Sequence, residues 1–353
     1  MSVIHDAAAR AMRAADPETG HQLAMRALSM GLGPRARADR WPRLTTILAG
    51  MTLPNPIGLA AGFDKNAEAP DAMLNAGFGF VECGTVTPRP QEGNPKPRLF
   101  RLTPDRAVIN RMGFNNEGLE VFAARLEARK KQGVAGANVG ANKDSEDRAA
   151  DYVEGMKRVW PFASYVTANI SSPNTPGLRG LQERCALEDL LGRLAEARAP
   201  LTAQHGHKPL FLKVAPDLDD GAVRDIVEIA LQFGLDGLIV SNTTIARPAS
   251  LTDRRRSETG GLSGRPLFSP STAILKLFAQ AGAGRLQLIG AGGIDCGAAA
   301  LAKIKAGAHA VQLYSALVYE GPSLAARIAE DLSLRLIAEG FASVGEAVGA
   351  DLR

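Results

Sequence analysis

Eight short apolar runs recur along the chain from residue 57 onward, and amphipathic stretches separate most of them. The runs are Ile57–Ala60, Phe80–Glu82, Val134–Val139, Tyr165–Ala168, Leu210–Val214, Gly237–Val240, Leu286–Gly290 and Ala310–Leu313. Between them lie Glu117–Lys131, Leu187–Ala203, Asp219–Phe233, Ser269–Ala281 and Cys296–Ala306, which carry amphipathic patterns. Runs this short predict buried strands, and the longer stretches predict the helices that cover them. Roughly eight βα repeats in about 300 residues mark an α/β chain and point to a (β/α)8 TIM barrel, with active-site groups on the C-terminal ends of the strands. A doubly wound open sheet is the alternative, but no early GxGxxG follows a first strand.

Two short helical patterns precede the repeats. Ala7–Ala14 stops at Asp16-Pro17; in the second, Leu23, Ala27 and Met30 fall at i, i+4, i+7, flanked by Met25 and Leu28, and Gly31 and Gly33-Pro34 end it. We divide the chain accordingly into a small N-terminal two-helix module, residues 1–40, and a barrel domain, residues 41–353. The module's apolar face packs on the main domain or meets lipid or a lipid-soluble ligand, and composition does not choose between these. After a basic connector (Arg35 to Arg43), Thr46–Leu48 and Leu53 flank Ala49-Gly50, which suggests a small hairpin across the barrel floor. Pro97–Asn110 reads as an inserted hairpin, long enough for a lid or wall.

Composition narrows the class. The 353 residues carry 41 Lys+Arg against 37 Asp+Glu, a net +4, which is compatible with an anionic membrane surface and is no nucleic-acid signature. Cys83, Cys185 and Cys296 lie far apart without ligand spacing, so neither a metal site nor a disulfide frame is expected. No apolar run approaches the ~18–20 residues that span a bilayer. His5, Asp6, Arg10, Arg13 and Asp16 interrupt the N-terminus, which is not that of a signal peptide. If a membrane is involved, the protein lies on it.

The candidate chemistry sits at the strand ends. Ala168–Leu178 follows a strand with two prolines, a glycine, two asparagines and two serines, a rigid polar loop where a barrel presents reactive groups. The first strand runs into Ala60-Ala61-Gly62-Phe63-Asp64-Lys65-Asn66, where small residues admit a flat ring and Lys65 puts a cation beside it. Asn138 and Asn169 end the third and fourth strands and Lys213 the fifth; asparagine both donates and accepts, which suits a ring edge of alternating C=O and N–H. Glycines after the sixth and seventh strands (Gly260–Gly264, Gly292-Gly293), with no P-loop lysine, suggest a phosphorylated cofactor held by backbone N–H groups.

With these stretches in view the chain resembles the membrane-associated, quinone-reducing class 2 dihydroorotate dehydrogenases. The resemblance rests on Leu59–Asn66, Gly84–Pro90, Pro97–Leu102, Asn110–Asn116, Asn169–Leu178, Lys213–Asp217, Ser241–Thr244, Gly260–Pro266 and Gly290–Asp295, and on Asp16-Pro17-Glu18 with His21 in the N-terminal segment. It implies an FMN barrel that oxidises dihydroorotate to orotate in pyrimidine synthesis and passes the electrons to a membrane quinone. By position, FMN contacts would be Ala61, Gly62, Phe63, Asp64, Lys65, Thr85, Asn138, Asn169, Lys213, Ser241, Gly264, Gly293, Tyr314 and Ser315. Substrate contacts would be Lys65, Asn110, Arg111, Met112, Gly113, Phe114, Asn169, Asn174, Asn242 and Thr243, with Ser172 as the catalytic base. His21, Arg101 and Tyr314 would neighbour the quinone head, against the plainer readings of a capping histidine, a surface arginine and a packed tyrosine. The quinone tail would lie along Leu23, Met25, Ala27, Leu28 and Met30. The class implies peripheral attachment to the cytoplasmic side of the cell membrane. Ala141 and Cys296 depart from the polar residues expected there, away from any contacting position.

Other readings fit less well. A soluble relative reducing fumarate or NAD would carry cysteine at position 172 and no helical module, and a tRNA dihydrouridine synthase would need a cysteine in a barrel loop and a basic RNA surface. A flavin-binding scaffold would give no reason for Ser172 beside Asn169 and Asn174.

Overall fold

The structure is a computed structural model that describes residues 5–7, 11–130 and 133–353. Its strands are β1 (Thr46–Leu48), β2 (Met51–Leu53), β3 (Ile57–Leu59), β4 (Phe80–Val86), β5 (Leu99–Leu102), β6 (Ala107–Asn110), β7 (Val134–Val139), β8 (Val166–Asn169), β9 (Leu210–Val214), β10 (Gly237–Val240), β11 (Gly261–Gly264), β12 (Gln287–Ala291) and β13 (Ala310–Leu313). Eight of them close into a parallel barrel in the order β3-β4-β7-β8-β9-β10-β12-β13. The (β/α)8 expectation is therefore met, and all eight apolar runs became its staves.

The barrel interior fills from the bottom by pairing large residues with glycines. The Phe80 ring occupies the space where a Cβ on Gly58 would lie, 2.2 Å from it, and Tyr165 does the same for Gly136. Phe80, Tyr165 and Phe211 stack edge to face, with Leu48 and Leu53 of the β1–β2 hairpin buried against them from below. The hairpin across the floor is thus as expected. This layer leaves the C-terminal ends of the strands as the open end.

The hairpin expected within Pro97–Asn110 forms as β5 and β6, and β11 joins it as a third antiparallel strand, Leu262 opposite Ile109. This small sheet has its own core of Phe100, Leu102, Ile109, Leu251 and Leu262.

Of the first N-terminal helix expectation, Ala8–Arg10 lies outside the described residues. The second is a helix over Pro17–Ser29, started by Asp16, whose carboxylate accepts from the N–H groups of Glu18 and Thr19 at 3.1 Å each. Its face differs from the expected one. Met25 and Leu28 are buried in the barrel's main core, whereas Leu23 and Met30 are 45% and 69% exposed. The inward stripe also carries Glu18, whose carboxylate pairs with the Arg98 guanidinium at 2.5 and 3.0 Å, both side chains buried. Arg101 of β5 fastens the preceding turn by donating to the carbonyls of Arg13 and Ala15, each at 2.8 Å.

Candidate active site

At the C-terminal end of the barrel a cavity of about 310 Å³ runs between the strand ends, the small sheet and the Pro17–Ser29 helix. Of the residues expected to bind or react, it is lined by Ala61, Gly62, Phe63, Lys65, Thr85, Asn169, Ser172, Asn174, Lys213, Ser241, Asn242, Thr243, Gly264, Gly293, Tyr314 and Ser315, by Asn110, Met112, Gly113 and Phe114, and by His21 and Arg101. Of the expected cofactor and substrate residues three stand outside it, and so do Leu23, Met25, Ala27, Leu28 and Met30, expected along the quinone tail. Asp64 turns away, accepting from the N–H groups of Glu68 and Ala69 at 2.9 Å, and burial raises its pKa. Arg111 lies over the Phe100 ring and pairs with Glu258 at 2.8 Å. Asn138 lies one layer below the cavity.

That lower layer explains how the amides above it are oriented. Glu82 of β4 is fully buried and accepts from Asn138 Nδ2 (2.7 Å), Tyr165 Oη (3.0 Å), Thr167 Oγ1 (3.2 Å) and Gln312 Nε2 (3.0 Å). Asn138 gives its Nδ2 to Glu82, so its carbonyl oxygen faces the other way. Thr85 Oγ1 donates to that oxygen at 2.5 Å and accepts from Asn169 Nδ2 at 2.8 Å. Asn169 Oδ1 then accepts from Ser171 Oγ (2.7 Å), which itself accepts from Asn242 Nδ2 (2.9 Å). Each amide is thereby held in one sense.

The Ser172 loop is anchored at several points. Tyr152 Oη donates to the Asn169 carbonyl at 2.6 Å, and Arg179 donates to the carbonyls of Ser171 (3.1 Å) and Thr243 (2.9 Å) and to Asp217 (2.8 Å). Ser172 Oγ accepts from Asn174 N at 3.3 Å, and among the described residues no histidine or carboxylate is hydrogen-bonded to it. Asn174 in turn donates to Asn110 Oδ1 at 3.2 Å, joining the loop to β6.

Two lysines enter the cavity from opposite sides. Burial pulls Lys65 down to about 8, against the pull of Glu18, and it lowers Lys213 too, against the pull of Glu82. Buried hydroxyl and amide oxygens of Thr243 and Gln312, both lining the cavity, have no protein partner. At one end the glycines 264, 292 and 293 adopt positive φ and leave a side-chain-free cradle. At the other, His21 packs edge-on against Phe63 (5.2 Å) with Tyr314 at 6.2 Å. Burial, with Lys65 adding to it, holds the His21 imidazole neutral with its pKa near 3, and burial lifts Tyr314 to about 12.

Sequence reasoning missed Glu82, Arg179 and Gln312. Glu82 lies in a strand run as an isolated acid, Gln312 carries no motif, and only its position after the Ser172 loop hinted at Arg179.

The dihydroorotate dehydrogenase family model matches residues 43–336. The chain is 55% identical over 338 residues to the dihydroorotate dehydrogenase (quinone) of Parvibaculum lavamentivorans, covering 96% of this chain and 95% of that one. It is 57% identical over 340 residues to that of Rhodospirillum rubrum, covering 96% and 92%. Among solved structures it is similar to Eimeria tenella DHODH in complex with ferulenol, with a TM-score of 0.92, 43% identity and 96% of each chain covered.

Proposed function

The chain belongs to the dihydroorotate dehydrogenase family and oxidises dihydroorotate with a quinone as acceptor in pyrimidine biosynthesis, and on that premise we propose that FMN fills the cavity and that Ser172 is the base. The residues suit a phosphorylated flavin. The glycine cradle offers N–H groups without side chains, the orphaned oxygens of Gln312 and Thr243 await donors, and Lys213 is a buried cation with room beside it. Ala61 to Phe63, Lys65, Thr85, Asn169, Lys213, Ser241, Gly264, Gly293, Tyr314 and Ser315 would hold it, with Asn138 and Asp64 acting from behind.

Oxidation removes a proton from C5 of dihydroorotate and a hydride from the neighbouring C6. Bound FMN would supply the hydride acceptor and the onward path of electrons to quinone. Ser172 takes the C5 proton as its own hydroxyl proton is relayed to solvent, on a loop whose anchoring by Arg179 and Tyr152 fixes its hydroxyl. The lone asparagine N–H at Ser172 Oγ steadies negative charge forming there. Asn110, Asn174, Asn242 and Thr243 surround the substrate's polar edge, and Lys65 offers its carboxylate a cation. Lys213 keeps a positive charge where the cavity must accept electrons. His21, Arg101 and Tyr314 border the quinone.

No described helix is long and apolar enough to cross a membrane. The exposed Leu23, Met30 and Leu32, beside Arg26 and Arg35, favour peripheral contact with the cytoplasmic face of the cell membrane. The observation that carries the reading is the meeting of Ser172, the two lysines and the ordered amides in one cavity that the N-terminal helix also borders. The test is direct: the purified protein should be yellow, bleach with dihydroorotate without oxygen, and regain colour with quinone. A colourless protein, or one that dihydroorotate leaves yellow, would sink it.

A further inference from the structure

Lys303 lies on the helix Gly297–Lys305, behind the cavity, with no exposed surface. Its ammonium donates to Ser271 Oγ at 2.6 Å and to the Ala291 carbonyl at 3.4 Å, and stands 5.5 Å from the centre of the Phe268 ring. Among the described residues no carboxylate balances it: Lys276 on the facing helix is paired with Asp351, and Asp295 beyond the turn with Arg265. A buried cation without a counter-charge is strongly disfavoured and persists where something compensates it.

Both of its hydrogen bonds lead to the back of the glycine cradle. Ser271 Oγ shares its one proton between the Gly292 carbonyl at 3.2 Å and the Phe268 carbonyl at 3.1 Å. A Cβ on Gly292 would come within 2.7 Å of Ser271 Oγ, and one on Gly293 within 2.6 Å of the Phe268 backbone nitrogen, so the turn is pressed flat against this wall. In a trans peptide the C=O and N–H point in opposite directions. Drawing the carbonyls of Ala291 and Gly292 back toward Lys303 and Ser271 therefore turns the N–H groups of Gly292 and Gly293 the other way, toward the cavity that both residues line.

We propose that Lys303 is a positioning residue for the cofactor phosphate: through Ser271 and the Ala291 carbonyl it sets the cradle's N–H groups, and its charge, unbalanced by protein, attracts the phosphate dianion from behind. The inference rests on the FMN reading above. Phosphate binding by a loop without its own lysine then has a cation after all, one helix further back.

The experiment titrates full-length apoprotein with FMN and with riboflavin, which lacks the phosphate, following flavin fluorescence. Lys303→Met should weaken FMN on the order of 10–100-fold and leave riboflavin within about threefold, because only the charge-assisted contact is lost. Equal weakening of both flavins, or of neither, would overturn the role and leave Lys303 a packing group. The wild type offers a second measurement that needs no variant. With Lys303 pulled down to about 7 by burial, rising pH removes its charge, so FMN affinity should fall more steeply than riboflavin's between pH 7 and 9, the loss of charge on Lys65, pulled down to about 8, acting on both flavins alike. Parallel profiles for the two flavins would overturn the proposal. Wild-type protein that binds neither flavin would sink both this inference and the cofactor reading, whereas equal effects on the two sink this inference alone.

Discussion

Around Ser172 the cavity wall consists of short amides and hydroxyls on strand ends, each locked by the next down to Glu82. Under the Pro17–Ser29 helix the wall consists of His21, Phe63 and Tyr314 packed edge to face, and its attachment depends on Glu18–Arg98 and Arg101. The first wall grows out of the barrel and inherits its rigidity. The second is an added piece, joined by the ion pairs of Glu18 with Arg98 and Lys96, a few carbonyl hydrogen bonds and two core residues. Proton removal needs the first kind of wall, since a misplaced base loses rate steeply. Admission of a greasy acceptor tolerates the second.

If the division is real, the two half-reactions can be damaged separately. The largest effect should come from Ser172→Ala: reduction by dihydroorotate should fall about 10²–10⁴-fold, the usual worth of a general base, with reoxidation by quinone unchanged. Anaerobic stopped-flow measures both, and a wild-type reduction rate would remove Ser172 from the mechanism.

Gly20→Val attacks the other wall. Its Cβ would meet the Met12 carbonyl oxygen at 2.8 Å and Arg101 Nη2 at 2.9 Å. The quinone KM should rise about tenfold with reduction by dihydroorotate intact. Loss of both rates in parallel would mean that the walls are one unit.

Glu18→Gln removes one partner of a buried pair and should cost about 2–4 kcal/mol of the helix's attachment, read as a lower thermal midpoint or easier proteolysis in the linker that follows. The hydrogen bond from Arg98 holds the Glu18 carboxyl below its usual range. A carboxylate lowered by folding stabilises above its unfolded pKa and loses that contribution as pH falls through the folded one. Acidification below about pH 4 should therefore weaken the attachment more in the wild type than in Glu18→Gln, where the Asp16 cap is still lost.

The smallest effect is expected from Leu23→Glu. With this side chain 45% exposed and outside the cavity, stability should change by less than about 0.5 kcal/mol and quinone reduction in detergent should hold, while binding to anionic vesicles weakens. A raised quinone KM in detergent would return Leu23 to the quinone path.

The same contrast decides what the sequence disclosed. The barrel wall was legible because strand ends carry their chemistry in contiguous stretches, and Val134–Val139, Leu210–Val214, Gly237–Val240 and Ala310–Leu313 coincide with the strands residue for residue. The helical wall was misread. Hydrophobicity favoured Leu23, Ala27 and Met30, yet the buried stripe holds Glu18, Met25 and Leu28, because a paired glutamate can be interior and an apolar residue can face out. For a similar reason the helix Arg148–Val159 escaped notice, its buried Tyr152, Met156 and Val159 hidden among Asp151, Glu154, Lys157 and Arg158. Gly261–Gly264 reads as a turn, and only pairing with β6 makes it a strand.

The filled lower half of the barrel, with Phe80 and Tyr165 wedged against Gly58 and Gly136 above the hairpin, turns the catalytic vessel into a cul-de-sac. Donor and acceptor have no opposite doors to use; both must approach from the same face and be kept apart sideways. On the proposed reading that separation falls to the anchored Ser172 loop on one side and the lightly joined Pro17–Ser29 helix on the other. Trimming or lengthening either would change which molecules are admitted without disturbing a single stave.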